Sequence, residues 1–261
     1  MGKTVAIVNQ KGGVGKTTTA VNLSASLGAR GYKVLLADID PQGNSSSGLG
    51  INKRELKASV YEVLIGEAAI EDTIVASDFY NVWILPSSMN LAGAEIELGG
   101  VEKREGRLKI ALAQVKHNFD FIFLDCPPSL GLITLNALNA ADSFFVPIQC
   151  EFYALEGLSQ LISTVRQVKR LFNPLLELEG VLFTMYDGRL NLTQQVAQDT
   201  KRVFPKKVYS SVIPRNVRLS EAPSFGQPAM YYDKNSKGSQ AYDAVAEEFL
   251  SLNNMKSHKE G

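Results

Sequence analysis

The sequence predicts an α/β fold: a single doubly wound, mostly parallel sheet flanked by helices. Three observations carry that expectation. Short apolar runs alternate with helical patterns along nearly all of the 261 residues. Most of those runs are continuous in Val, Ile, Leu and Phe rather than interleaved with polar residues, as strands covered on both faces require. A glycine-rich turn joins the first apolar run directly to a helical stretch. With 45% hydrophobic residues the chain can bury a sizeable core, which excludes disorder and fibrous repeats.

Taken in order, the apolar runs of strand length lie at 5–9, 34–38, 82–86, 121–125, 144–148, 180–184 and 208–213. Helical patterns fall between them at 16–29, 107–117, 132–140, 155–171 and 192–204. The stretch 240–252 closes the series, with Ala241, Val245, Phe249 and Leu252 forming one core-facing stripe. Such alternation implies parallel strands joined by right-handed crossovers. No linker, repeat or low-complexity segment interrupts it, so residues 1–252 are expected to form one domain. The polar tail 253–261 is expected to fray.

Composition narrows the function. Two cysteines, Cys126 and Cys150, exclude a disulfide scaffold and an all-cysteine metal site within one chain. No segment reads as a signal peptide, and no apolar run approaches the ~20 residues that cross a bilayer, so a cytoplasmic protein is expected. The 27 basic and 27 acidic side chains cancel, but unevenly. Residues 186–237 hold nine Lys/Arg against four acids (Asp187, Asp199, Glu221, Asp233) and can meet a polyanion, or can simply be a solvated face.

The chemistry is concentrated after the first strand, in Gln10-Lys11-Gly12-Gly13-Val14-Gly15-Lys16-Thr17-Thr18. Phosphate binding needs several backbone N–H groups turned inward, hence glycines, with a helix N-terminus behind them. Lys16 is placed to reach the β- and γ-phosphates and the Thr17 hydroxyl to ligate Mg²⁺. The usual pattern has glycine where this chain has Gln10, and a second lysine, Lys11, follows. One loop lysine suffices for the phosphates. Lys11 is therefore either a surface lysine or a charge offered to another nucleotide across a two-fold interface, as an arginine finger acts in trans.

Two strand ends add carboxylates. In Asp38-Ile39-Asp40-Pro41-Gln42-Gly43-Asn44 the aspartates stand at i and i+2 and point the same way at the rim where α/β sheets bind ligands. One can hold Mg²⁺ through water while the other polarises an attacking water. Phe121-Ile122-Phe123-Leu124-Asp125 is an apolar strand ending in a carboxylate, a Walker B arrangement in which Asp125 holds a Mg²⁺-bound water.

Lys-Gly-Gly-Val-Gly-Lys-Thr-Thr at 11–18 resembles the deviant Walker A of the ParA/MinD superfamily of P-loop NTPases, and the chain as a whole looks most like its ParA/Soj branch of chromosome- and plasmid-partitioning ATPases. The resemblance runs from Val5 to about Phe249. It implies ATP and Mg²⁺ as cofactors and a homodimer when ATP-bound, in which Lys11 touches the partner's nucleotide. It assigns Lys11, Lys16 and Asp40 to catalysis, with Asp40 orienting the hydrolytic water, and Thr17, Asp38 and Asp125 to the metal. Nucleotide contacts are implied along Lys11, Gly12, Gly13, Val14, Gly15, Lys16, Thr17 and Thr18. Pro214 and Asn216 are implied to border the adenine, Cys126-Pro127-Pro128-Ser129 to act as switch II, and 151–157 to help build the dimer face.

The same resemblance implicates Arg189 and Arg218 in nonspecific double-stranded DNA binding, with Lys201, Arg202, Lys206 and Lys207 extending the patch. A ParB-type partner and a nucleoid-associated location follow from it. With the phosphate loop beginning at residue 11, the N-terminal helix-turn-helix of some plasmid relatives is not expected. Positioning and charge stabilisation by a single water-managing carboxylate imply turnover below about 1 s⁻¹.

Other members of the superfamily leave different marks. A MinD-like positioning ATPase carries a bulky amphipathic C-terminal helix, absent from 252–261, so no membrane partner is expected. Iron–sulfur carriers need suitably placed cysteines, and tyrosine autokinases a tyrosine-rich tail. The alternatives that stay open are a small-molecule ATPase or ligase on this scaffold, a MinD-like positioning ATPase, and a nucleotide-regulated binding module.

Overall fold

The computed structural model describes residues 2–255. Seven strands form one sheet: β1 (Lys3–Ile7), β2 (Val34–Asp38), β3 (Val75–Ala76), β4 (Val82–Leu85), β5 (Phe121–Asp125), β6 (Ser143–Gln149) and β7 (Glu177–Thr184). Their spatial order is β3-β4-β2-β5-β1-β6-β7, parallel throughout except for the antiparallel β3–β4 pair. The α/β expectation holds, and the sheet is mixed only at that edge.

Helices cover both faces. They are α1 (Lys16–Gly28), α2 (Asn44–Gly48), α3 (Val60–Ile65), α4 (Ile70–Thr73), α5 (Ala94–Glu97), α6 (Arg107–Val115), α7 (Leu132–Ala140), α8 (Ala154–Leu171), α9 (Asn191–Val203), α10 (Val217–Glu221), α11 (Ala229–Tyr232) and α12 (Lys237–Leu252). Strand residues alternate between two apolar layers. Ala6, Leu35, Ile122 and Val146 face one layer with α6, α7 and α8; Val5, Leu36, Phe123 and Phe145 face the other with α1 and α12. Phe249 of α12 lies 5.2 Å from Phe121 and 5.7 Å from Phe123, ring centre to ring centre, so the predicted C-terminal stripe does cover the sheet.

One predicted strand is not formed. Residues 208–213 make a single isolated bridge, Val181 to Val208, and a second, Tyr186 to Pro214, lies just past the run. The cause is a competing acceptor. The Ser210 and Ser211 N–H groups donate to the Glu248 carboxylate of α12, at 2.6 and 2.8 Å. That pulls the middle of the run off the ladder, while Tyr209 and Ile213 still donate to Val181 and Phe183. The tail begins more firmly than expected. Asn253 donates through Nδ2 to Glu179 at 2.8 Å and accepts a short bond from the Lys3 ammonium. Residues 256–261 of the expected frayed tail lie outside the described residues. No helix among those described is long and apolar enough to cross a membrane.

This topology decides where the loops meet. The chain leaves β1 toward β2 and later inserts β5 between them, so the C-terminal ends of the three strands lie side by side. Asp125 aligns with Ile7 on one flank and Asp38 on the other.

Candidate nucleotide and metal site

Between β1 and α1 the chain folds into the expected loop. Gly13 and Gly15 take φ of +73° and +87°, a region L side chains rarely enter, and Gly15 packs under Thr184. Gly12 is exposed and Val14 buried beneath the loop. Thr184 donates its hydroxyl to the Val14 carbonyl at 2.7 Å, tying the loop to the end of β7. Helix α1 begins at Lys16 with no side-chain cap and no acid in its first turn. Its first N–H groups are therefore left for an anion, with the helix dipole behind them.

The two loop lysines differ in direction. Lys16 is buried and turned inward, its Nζ on the Lys11 carbonyl at 3.2 Å. Burial pushes its pKa down, opposed by Asp125, Cys126 and Asp40 nearby. Lys11 turns outward and its ammonium pairs with Glu151, just past β6. Both partners of that pair are about two-fifths exposed, 41% and 44%. Beside Glu151 stand Phe152 and Tyr153, 75% and 67% exposed, their rings perpendicular at 5.0 Å.

Asp125 is fully buried. Its Oδ2 accepts from the Thr17 hydroxyl at 2.8 Å and the Ser45 hydroxyl at 2.7 Å, while its Oδ1 has no hydrogen-bond partner. Burial raises its carboxyl to about 6, although both hydroxyls and Lys16 pull the other way. A buried carboxylate oxygen left open, beside a threonine hydroxyl at the mouth of a helix, fits a hard divalent cation such as Mg²⁺. Among the described residues no group of three or more His, Cys, Asp or Glu gathers to cage a metal. Mg²⁺, which keeps waters and phosphate oxygens as ligands, needs no such cage.

Asp38 is engaged by its own chain. Its Oδ2 is taken by the N–H and hydroxyl of Ser46, at 2.7 and 2.8 Å, and its Oδ1 accepts from the Asp40 N–H at 3.3 Å. The side chain thus anchors the segment 39–46 to the end of β2 rather than presenting an open oxygen. Burial and then the adjacent Asp125 charge raise its carboxyl to about 7. Asp40 is largely buried, its Oδ1 accepting from the Gln42 N–H at 3.0 Å. Lys53 fastens the same segment by donating to the Gln42 and Gly43 carbonyls, at 2.9 and 3.2 Å.

A cavity of about 350 Å³ adjoins the loop, lined by Gly15, Thr18, Thr184, Met185, Pro214 and Asn216 among others. Both residues expected to border a base therefore reach it. The Asn216 Oδ1 caps α10 through the Arg218 N–H at 3.0 Å, which leaves its amide N–H₂ for a ligand.

The basic segment is divided by the fold. The bridge from Tyr186 to Pro214 brings the loop carrying Arg189 beside the segment that leads into α10, which carries Arg218, at the C-terminal rim, with Arg215 exposed in that segment. Lys201 and Arg202 stand in the last turn of α9, and Lys206 and Lys207 line a cavity with Lys3, Asp142 and Glu177 at the starts of β1, β6 and β7. Helix α9, 13 residues or ~20 Å long, separates the two groups. The single extended patch expected from sequence is two patches at opposite ends of the sheet.

Sequence reasoning did not single out Ser45, Ser46, Thr184 or Lys53 for this site. The first two belong to a short serine run, Asn44-Ser45-Ser46-Ser47, whose hydroxyls face the carboxylates only because α2 turns there.

Comparison with known proteins gives concordant results. A family model described as "AAA domain" matches residues 2–178. The sporulation initiation inhibitor protein Soj of Bacillus subtilis is 56% identical over 248 residues, covering 95% of this chain and 98% of that protein. The chromosome partitioning protein ParA of Caulobacter vibrioides is 51% identical, covering 95% of this chain and 94% of its own. Among solved structures, cobyrinic acid a,c-diamide synthase from Mycobacterium smegmatis, with bound ATP analog and magnesium, superposes with a TM-score of 0.85. It is 38% identical, over 97% of this chain and 96% of that one.

Proposed function

The chain belongs to the ParA/Soj/MinD family of P-loop ATPases, and from that premise we propose a DNA-partitioning cycle driven by ATP-dependent dimerisation. The observation that carries it is the opposed direction of the two loop lysines: Lys16 turned into its own loop, Lys11 turned out of it. The N–H groups of residues 12–18 receive the triphosphate, and Lys16 neutralises its β- and γ-oxygens. Thr17 and the open oxygen of Asp125 would hold Mg²⁺, which when bound would neutralise phosphate charge. Asp38 holds the 39–46 segment in place, and Asp40 on that segment orients the attacking water. Pro214 and Asn216 border the base.

Lys11 leaves Glu151 and adds its charge to the nucleotide of a second copy, closing a two-fold dimer whose face includes Phe152 and Tyr153. The dimer brings two sets of rim arginines, Arg189, Arg215 and Arg218, against one duplex. Doubling the contacts raises avidity, so nucleotide controls DNA retention without touching DNA. The lower group, Lys201, Arg202, Lys206 and Lys207, offers a second site for backbone phosphates. A ParB-type partner triggers hydrolysis and release, and the working location is the cytoplasm, at the nucleoid, without a membrane partner.

The test is retention on mixed-sequence duplex DNA with ATP, ADP or no nucleotide, across a salt series. Retention confined to the ATP state, falling steeply with salt, supports the cycle. A salt slope indifferent to nucleotide favours a small-molecule ATPase or ligase instead.

A further inference from the structure

The segment 186–237 contains four acids, and all four pair with arginines of the same segment. Asp187 takes Arg189 side-on, Nε to Oδ1 at 2.9 Å and a terminal nitrogen to Oδ2 at 2.6 Å. Glu221 takes Arg218 at 2.7 Å, and Asp233 reaches the same guanidinium at 3.3 Å. Asp199 takes Arg202 at 3.1 Å. Among the described residues, none of the segment's five lysines enters an ion pair of this kind. The acids are directed to the guanidinium forks.

A fork that accepts a carboxylate with two parallel N–H bonds presents the geometry that accepts a phosphate. Arg189 is thus already shaped for an oxyanion and neutralised by one, and Arg218 is neutralised through one nitrogen to Glu221 and another to Asp233. We propose that Asp187 and Glu221 are built-in competitors of the DNA backbone that set the strength of DNA retention, an inference that rests on the partitioning reading above. Each bound phosphate must displace a carboxylate from Arg189 or Arg218. The pairs suit that task because they are weak enough to exchange: the Arg189 side chain is 89% exposed, and exposed pairs are readily exchanged. The Asp187 pair also persists at any working pH, since the Arg189 hydrogen bonds hold that carboxyl down at about 2. Competition of this kind keeps single protomers off DNA while leaving a dimer, with twice the forks, able to bind.

The test uses the full chain loaded with a non-hydrolysable ATP analogue and Mg²⁺, titrated onto a fluorescent mixed-sequence duplex. Asp187→Asn and Glu221→Gln are each expected to tighten binding about two- to fivefold at low salt, the range an exposed pair supports. Each is also expected to steepen the log–log salt slope, by at most about 0.9 for each arginine freed. Adding Arg189→Ala to Asp187→Asn is expected to abolish the gain, which ties it to the fork rather than to a general change in charge. Thermal denaturation and sedimentation of each variant confirm that it folds and dimerises. If the native protein is retained on DNA and the variants bind equally or more weakly, the acids position the arginines and the inference is overturned. If the native protein is retained in no nucleotide state, the partitioning reading falls and the inference falls with it.

Discussion

Replacing Asp125 by asparagine separates the electrostatic cost of the metal site from its hydrogen bonds. The carboxylate is fully buried, with its Oδ1 unpartnered and its pKa raised from 3.8 to about 6. A folded-state pKa above the unfolded value means that the native state binds the proton more tightly. The group is therefore least harmful to stability at low pH, and its cost grows as pH rises from about 4 to about 6 and levels off above that. A rise of that size costs about 3 kcal/mol at pH 8 and roughly half of that at pH 5. The asparagine amide can still accept from Thr17 and Ser45, but its N–H₂ replaces the open oxygen and lacks a partner, a cost of about 1–3 kcal/mol that does not depend on pH. Comparison across pH removes that constant. Relative to the native protein, Asp125→Asn is expected to gain about 1–2 kcal/mol between pH 5 and pH 8, or about 3–6 °C in melting temperature. The assay is thermal denaturation by circular dichroism without nucleotide or metal, repeated with Mg²⁺ and ATP, which should stabilise only the native protein. A stability difference that stays constant with pH would overturn the electrostatic origin, because it would place the effect in hydrogen bonding rather than charge.

Lys16→Ala is expected to lose ATP binding, read by anisotropy of a fluorescent analogue, and DNA retention with it. Asp40→Ala is expected to bind ATP, dimerise and stay on DNA while phosphate release falls; a monomeric Asp40→Ala saturated with ATP would contradict the assignment. Arg218→Ala is expected to leave dimerisation intact and to flatten the DNA salt slope by less than about 0.9 per protomer, because Glu221 already offsets part of that charge.

The parts of the site legible in the sequence are those whose chemistry needs neighbours along the chain. A phosphate cradle needs glycines, a lysine and a hydroxyl within a few residues, so 11–18 could be read directly. Asp125 could be read because an apolar strand delivers it to the rim. What escaped depends on partners far apart in sequence. The Lys11–Glu151 pair spans 140 residues and Thr184 reaches Val14 across 170. The loss of the strand at 208–213 is set by Glu248, an acid of α12 with no local signature. Helices of four to six residues, such as α2 and α10, are too short for a 3.6-residue pattern to register. Nor could charge counting reveal that α9 holds the two halves of the basic segment apart. Asp38 shows a related limit: strand direction places its carboxylate at the rim, but only the structure shows that Ser46 engages it.

The proposed cycle turns on Lys11 acting between copies. Sedimentation velocity of the native protein and of Lys11→Ala, each saturated with Mg²⁺ and a non-hydrolysable ATP analogue, measures that directly. The native chain is expected to sediment as a dimer only with the analogue, and Lys11→Ala to bind the analogue yet remain a monomer. A native protein that stays monomeric at saturation, or a Lys11→Ala protein that dimerises as readily, would contradict that role for Lys11.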